Sequence, residues 1–317
     1  MHNSEQHAHH VHLADLHLGK RWHRARAAYR MANVASHHVL GFVIKLALTA
    51  YFLFTFIFLF LRYAILPNIE YYKGDIEKQA SRALGNQVAI TRIYASWRGL
   101  RPNLFLGDVI LRDAQGRRVL SLPSVSATLS WWSVLAASPR FDSLEIIRPD
   151  LDIRRDAQGK VSVAGIVLGD KAGDGSGADW LLSQREVVIR EGRLRWTDEL
   201  RGAPELALEN VNLQLLNRWN HHRFGLRATP PASLSGPLDV RADFYHPRFA
   251  ARIADVAQWS GELYADVGNT DLAGWKAYVD YPFQVGSGWG SVRAWLSLER
   301  AKLAGFTADL ALVDVSA

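Results

Sequence analysis

The first strong pattern along the chain is an apolar stretch from Val39 to Leu66, and its centre, Leu46 to Leu61, is sixteen residues without a charge. Extended to Phe42 and Ala64, it approaches the ~20 residues a helix needs to cross about 30 Å of hydrocarbon. Phe52, Phe54, Phe56, Phe58 and Phe60 alternate as in a strand, but Leu53, Ile57 and Leu59 between them are apolar as well. A barrel strand would interleave polar residues, so the pattern predicts a helix whose membrane-facing residues include Phe42, Leu46, Phe52, Phe56, Leu59 and Phe60. Lys45 and Arg62 lie near its ends, where long side chains can snorkel. The stretch is longer than a signal-peptide core and no Ala-x-Ala site follows it, so the expectation is an uncleaved anchor over 39–66.

Past Pro67-Asn68 the period changes. Ile69, Tyr72, Ile76, Ala80, Ala83 and Leu84 recur at helical spacing, and Gly85 offers a stop. Beyond it, short segments alternate apolar and polar residues between turn signals. Leu120, Leu122, Val125, Ala127, Leu129 and Trp131 form one row with a slip near Pro123. Leu206, Leu208, Val211, Leu213 and Leu215 form another with a slip at Asn210, while Leu238 to Phe244 and Val292 to Leu298 alternate cleanly. Two near-identical turns, Arg112-Asp113-Ala114-Gln115-Gly116-Arg117 and Arg155-Asp156-Ala157-Gln158-Gly159-Lys160, lie 43 residues apart. An Asp opening and a Gly closing a short loop is hairpin chemistry. Short helices are predicted over 131–136 and 271–279. The fold class is therefore mainly β: one N-terminal transmembrane helix, then an antiparallel sheet with a few short helices. The expected divisions are a His-rich basic tail (1–38), the membrane helix (39–66), an α+β segment (67–168), a Gly-rich linker (169–179) and a further β segment (180–317).

Charge refines this picture. The chain carries 37 Lys and Arg against 31 Asp and Glu and no Cys. Lys20, Arg21, Arg24, Arg26 and Arg30 precede the apolar stretch, and the part after Pro67 is nearly neutral. The positive-inside rule then places the N-terminus in the cytoplasm and the bulk outside, the periplasm of a Gram-negative cell. The same basic residues set topology and can meet anionic head groups. No Lys/Arg stripe interleaved with aromatics marks a nucleic-acid face. The absence of Cys removes disulfides, thiol nucleophiles and thiolate metal sites.

Catalytic chemistry does not assemble. His12-Leu13-Ala14-Asp15-Leu16-His17 resembles one block of calcineurin-like phosphoesterases, but the Gly-Asn-His block those enzymes need is missing, since Gly85-Asn86 is followed by Gln87. His221-His222 has no carboxylate at a metal spacing and reads as a surface or turn pair. Gly286 to Gly290 lacks the strand-to-helix context of a nucleophile elbow. No metal or cofactor is expected, and no enzyme activity.

A resemblance adds to these readings. The anchor and short helix, followed by Val88-Ala89-Ile90-Thr91-Arg92-Ile93-Tyr94-Ala95-Ser96-Trp97 and Pro102-Asn103-Leu104-Phe105-Leu106-Gly107-Asp108, resemble the opening of the AsmA-like superfamily. Val188 to Glu199, His222-Arg223-Phe224, Gly290 to Trp295 and Ala308 to Val315 are similar to its YhdP branch. Members are several times longer, so the expectation is the N-terminal part of a longer protein. The resemblance implies an inner-membrane anchor bearing an elongated β-groove across the periplasm. It further implies phospholipid carriage toward the outer membrane, support of the envelope barrier, and outer-membrane or periplasmic protein partners. It supplies no catalytic residues. On this reading Leu129, Leu208, Leu213, Val240 and Leu296 face the groove. Alternation by itself fits a closed core equally well, which would make the chain an anchored scaffold docking a periplasmic protein; an anchored hydrolase is the remaining alternative.

The topology is directly testable. A periplasm-dependent reporter fused after residue 70 is expected to be active and a cytoplasm-dependent one silent; the reverse result overturns the orientation.

Overall fold

The computed structural model describes residues 38–112, 116–136, 140–163, 166–168, 176–250, 252–279 and 287–316. The basic residues Lys20, Arg21, Arg24, Arg26 and Arg30, and the tail histidines before His38, lie outside them. The chain divides into two compact units, one ending at Ile65 and the other beginning at Leu66.

The first unit is helical as the sequence predicts. Helix α1 covers 38–60 and passes into a π-turn over Leu61–Ile65. Phenylalanines four apart stack along it, Phe54 on Phe58 and Phe56 on Phe60, with ring centroids 6.4 and 6.2 Å apart. Phe42, Leu46, Phe52, Phe56, Leu59 and Phe60 are all exposed. With mean hydropathy 2.2 over an 18-residue window, none of it buried among the described residues, the helix is long and apolar enough to cross a membrane.

The second unit opens on a 3-10 segment, Leu66–Tyr72, with a kink at Asn68 after Pro67. Helix α2, Lys73–Leu84, follows and ends on Gly85 at φ 71°, the left-handed stop expected there. Strands β1 (Gln87–Arg98), β2 (Arg101–Arg112) and β3 (Arg118–Leu129) form successive hairpins. The free edge of β1 is covered by α2: the Val88 N–H donates to Ser81 Oγ at 2.9 Å and the Ile90 N–H to Glu77 Oε1 at 2.6 Å. Capping an edge in this way removes a row of unpaired backbone groups.

Helix α3 (Trp131–Ala136) leads to β4 (Phe141–Ile147) and β5 (Asp150–Arg155), with the small strands β6 (Val161–Val163) and β7 (Ile166–Leu168) beyond. The turn into β6 is built as its sequence requires. Asp156 Oδ1 accepts from the N–H groups of Gln158 and Lys160 at 3.0 and 2.8 Å, and Gly159 takes φ 82°. Its counterpart over Asp113–Gln115 lies outside the described residues, as do 169–175 of the expected linker. Residues Ser176–Ser183 form helix α4. The rest is β8 (Glu186–Asp198), β9 (Leu206–Arg218), β10 (His221–Thr229), β11 (Leu238–Tyr245), β12 (Ser260–Asp271), helix α5 (Leu272–Trp275), β13 (Ser287–Glu299) and β14 (Lys302–Ser316). Asp271 caps α5 through the N–H groups of Ala273 and Gly274.

All fourteen strands belong to one sheet. Pairing is antiparallel throughout except at β8, which runs parallel to β4 and then to β5. The antiparallel expectation fails there because β5 and β8 are joined by a long connection through β6, β7 and α4, and only such a crossover brings a strand back in the same direction.

A line of kinked residues with positive φ crosses the sheet: Asp108, Arg148, Glu191, Asn210, Asn269 and Asp314. Four of them are Asn or Asp, which tolerate this conformation best. The kinks are neighbours: the Glu191 N–H donates to Asn212 Oδ1 and the Arg148 N–H to the Arg190 carbonyl. The kink at Asn210 explains the slip there, and the slip at Pro123 lies opposite the kink at Asp108, between the pairs Gly107–Ser124 and Val109–Leu122. Leu104 and Val109 of β2, Leu122 and Val125 of β3, and Leu208 and Val211 of β9 are buried on both sides of the slip. The extra residue restores the inward face that a one-residue offset would invert.

Asn210→Val is expected to cost about 1–2 kcal/mol, the left-handed penalty for a β-branched residue, and Asn210→Gly little. Urea unfolding of the full chain in detergent, followed by circular dichroism, measures both.

Candidate functional site

Strand register carries side chains across the sheet in rows. One row runs Ile93, Leu106, Val125, Ile146, Ile189, Leu213, Leu226, Val240, Ala265, Ala294, Ala308. The next on the same face runs Ala95, Leu104, Ala127, Leu144, Val187, Leu215, Phe224, Ala242, Leu263, Leu296, Phe306. Each crosses eleven strands without one polar side chain. At strand spacings of about 4.8 Å this is a strip about 50 Å long.

Cover over the strip changes along it. At the β1–β4 end Ile93, Leu104, Val125, Ala127 and Leu144 are buried. From β9 onward Leu213, Leu215, Phe224, Leu226, Val240, Leu263 and Leu296 are half-buried, and Phe306 on β14 is 61% exposed. Of the residues expected to face a groove, Leu213, Val240 and Leu296 therefore sit in these two rows on the less covered part. Leu129 is half-buried on the same face of β3, two residues beyond Ala127. Leu208 is different: it lies in a packed cluster with Leu206, Val211, Ala228 and Leu234, roofed by Trp275 and Tyr278.

The reverse face is charged. Between the apolar rows point Glu145, Gln214, Arg241 and Tyr264, and on either side Arg190, Arg227, Asp239, Arg223, Asp243 and Glu262. These charges pair across strands: Arg190 with Glu145, Arg223 with Asp243 at 3.2 Å, Arg227 with Asp239 at 3.0 Å, and Arg293 with Asp266 at 3.4 Å. Hydrogen bonds from Arg241, then Arg227, hold the Asp239 carboxyl below the usual carboxylate range. A recess of about 900 Å³ lies on this side, walled by Arg190, Arg223, Arg241, Glu262, Tyr264 and Trp295. Leu213, Leu226, Ala242, Leu263 and Leu296 of the apolar rows line it as well, so the recess lies on the same strands as the strip and is bordered by ionic side chains.

His221 and His222 do not form the surface pair expected of them. They point to opposite faces. His221 Nε2 lies 2.6 Å from Asp243 Oδ1, and its ring stacks on Tyr245 at 4.2 Å. His222 is almost fully buried, its Nδ1 2.6 Å from Asn217 Oδ1 and its ring stacked on Trp259 at 4.5 Å. His246 stacks behind it at 5.1 Å. Trp259, in an irregular stretch after β11, gave no sequence signal of this role. Burial, reinforced by His246 and His221, pushes the His222 imidazole down to about 4. Among the described residues no three His, Asp or Glu gather as metal ligands.

The His222 pocket predicts a pH response. As pH falls from about 6.5 toward 4, the unfolded chain takes up a proton that the folded one refuses, so stability drops by up to about 3 kcal/mol. His222→Gln is expected to flatten that slope in urea titrations across this pH range; an unchanged slope contradicts it.

The profile of the YhdP protein family matches residues 31–317. No curated protein and no solved structure matches the chain.

Proposed function

We propose a function from one premise, that the chain belongs to the YhdP protein family: it is an inner-membrane-anchored periplasmic protein that conducts phospholipid toward the outer membrane along its apolar strip. The observation that carries this reading is the pair of unbroken apolar rows across eleven strands, less covered from β9 on.

The physical need is plain. A diacyl lipid exposes about 30 methylenes, and at about 0.8 kcal/mol each roughly 24 kcal/mol opposes their passage through water. A continuous apolar surface offsets that cost at every step and leaves the head group in solvent. The strip is made only of Ala, Val, Ile, Leu and Phe, so it offers no polar atom to arrest a chain at one place. Selectivity for a head group would have to come from elsewhere. Helix α1 supplies attachment to the bilayer that donates the lipid.

Photo-crosslinking in cells tests this. Probes at Leu129, Leu213, Val240 and Leu296 are expected to yield phospholipid adducts, and probes at Ser130, Gln214, Arg241 and Ser297 none. Protein adducts alone at the first set would replace the carrier with an anchored scaffold.

A further inference from the structure

One rim of the sheet carries a second feature. Here β9 turns into β10 at Trp219-Asn220, β11 passes to β12 over 246–259, and β13 turns into β14 at Arg300-Ala301. These loops are bound to one another. Asn220 Nδ2 donates to the His246 carbonyl at 3.0 Å, the His246 N–H to the Asn220 carbonyl at 3.1 Å, and the Ala301 N–H to the Trp259 carbonyl at 2.9 Å. Beneath them lies the rigid stack of His222, Trp259 and His246. Above it stand the two most exposed aromatic side chains among the described residues, Trp219 at 98% and Phe249 at 99%. Val256 is exposed beside them, and Leu100 and Trp132 are exposed further along the same rim, at the starts of β2 and α3.

Arginines surround these tips. Arg218, Arg248 and Arg300 are exposed, as are Arg98, Arg140 and Arg185 along the rim, and none has a carboxylate partner among the described residues. The same rim also holds the Arg101–Asp142 pair at 2.9 Å and an exposed Glu299; on the opposite rim Arg154 pairs with Glu199, and Arg155 and Arg201 with Asp198. Isolated aromatic tips among unpaired cations do not form a patch that seals against another protein. They match a bilayer surface, where aromatic rings sit at head-group depth and cations meet anionic lipid. Ser81 binds at Val88 and Glu77 at Ile90, so α2 runs antiparallel to β1 and, traced backward, leads toward the Leu100 end, with Leu66 and Ile69 buried on the way.

We propose that this rim, through Trp219 and Phe249 and the arginines beside them, docks on the surface of an anionic phospholipid bilayer. The proposal concerns docking, not carriage: it stands whether or not the strip conducts lipid, because the probes below report the depth of the loop tips and not the occupancy of the strip.

The chain has no cysteine, so single labels can be placed without background. The full chain carrying Trp219→Cys or Phe249→Cys, labelled with an environment-sensitive fluorophore, is reconstituted into nanodiscs containing lipid-borne quencher. Leu200→Cys on the opposite rim is the control. Quenching is expected at both tips in phosphatidylcholine with phosphatidylglycerol, less in phosphatidylcholine alone, and none at Leu200→Cys. Arg218→Glu with Arg248→Glu is expected to reduce the signal to the control level. Absent quenching at the tips, equal quenching at Leu200→Cys, or indifference to anionic lipid overturns the proposal. So do photo-crosslinks from both tips to protein and not lipid in cells.

Discussion

A strand has two faces and a period of two, so an apolar set stays on one side only while the register holds. Here it holds across eleven strands although several of them carry one residue too many. The surplus is absorbed by positive-φ kinks at Asp108, Glu191, Asn210 and Asn269, and each returns the next residue to the side its neighbours need. Without them Leu206 and Leu208, or Val109 and Leu111, would be turned to the charged side. Everything read from the apolar strip depends on that correction being made strand after strand.

The sheet is a single layer over most of its width, and its two sides divide the work. One side is aliphatic and contributes cohesion only where α2 or the residues around Trp275 cover it. The other holds neighbouring strands through cross-strand pairs such as Arg223–Asp243 and Arg227–Asp239, each worth little when exposed but placed at repeated levels. A layer that leaned on apolar packing alone would need a second layer and would lose the open strip. The ion pairs let the apolar side remain only half-covered from β9 on, away from the cluster around Leu208.

Local features were legible in the chain itself. The helix over the Phe-rich stretch, the stop at Gly85, the Asp156–Lys160 turn, the short helix at Trp131 and the slips at Pro123 and Asn210 all follow from nearest-neighbour chemistry. What required the structure is non-local. The parallel meeting of β8 with β4 and β5 depends on a connection whose direction no periodicity encodes. The burial of His222 depends on Trp259, 37 residues away and in no regular strand. Leu208 and Leu213 look alike in one alternating row, yet only Leu208 is roofed, because the roof comes from Trp275 and Tyr278. Alternation tells which side a residue takes and not whether anything lies above it.

The parallel junction at β8 also bears on the order in which the molecule is assembled. Strands β9 to β14 each pair with the strand just before them, so each can zip onto the growing edge as it emerges, across connections that range from the tight turns at Trp219-Asn220 and Arg300-Ala301 to the longer 246–259 and 272–286. β8 cannot. It must return past β6, β7 and α4 to align beside β4 and β5, a long-range closure of the kind that sets folding rates. The pairing of Val187–Asp198 with Leu144–Arg155 is thus the long-range closure, and all later strands extend the template it creates.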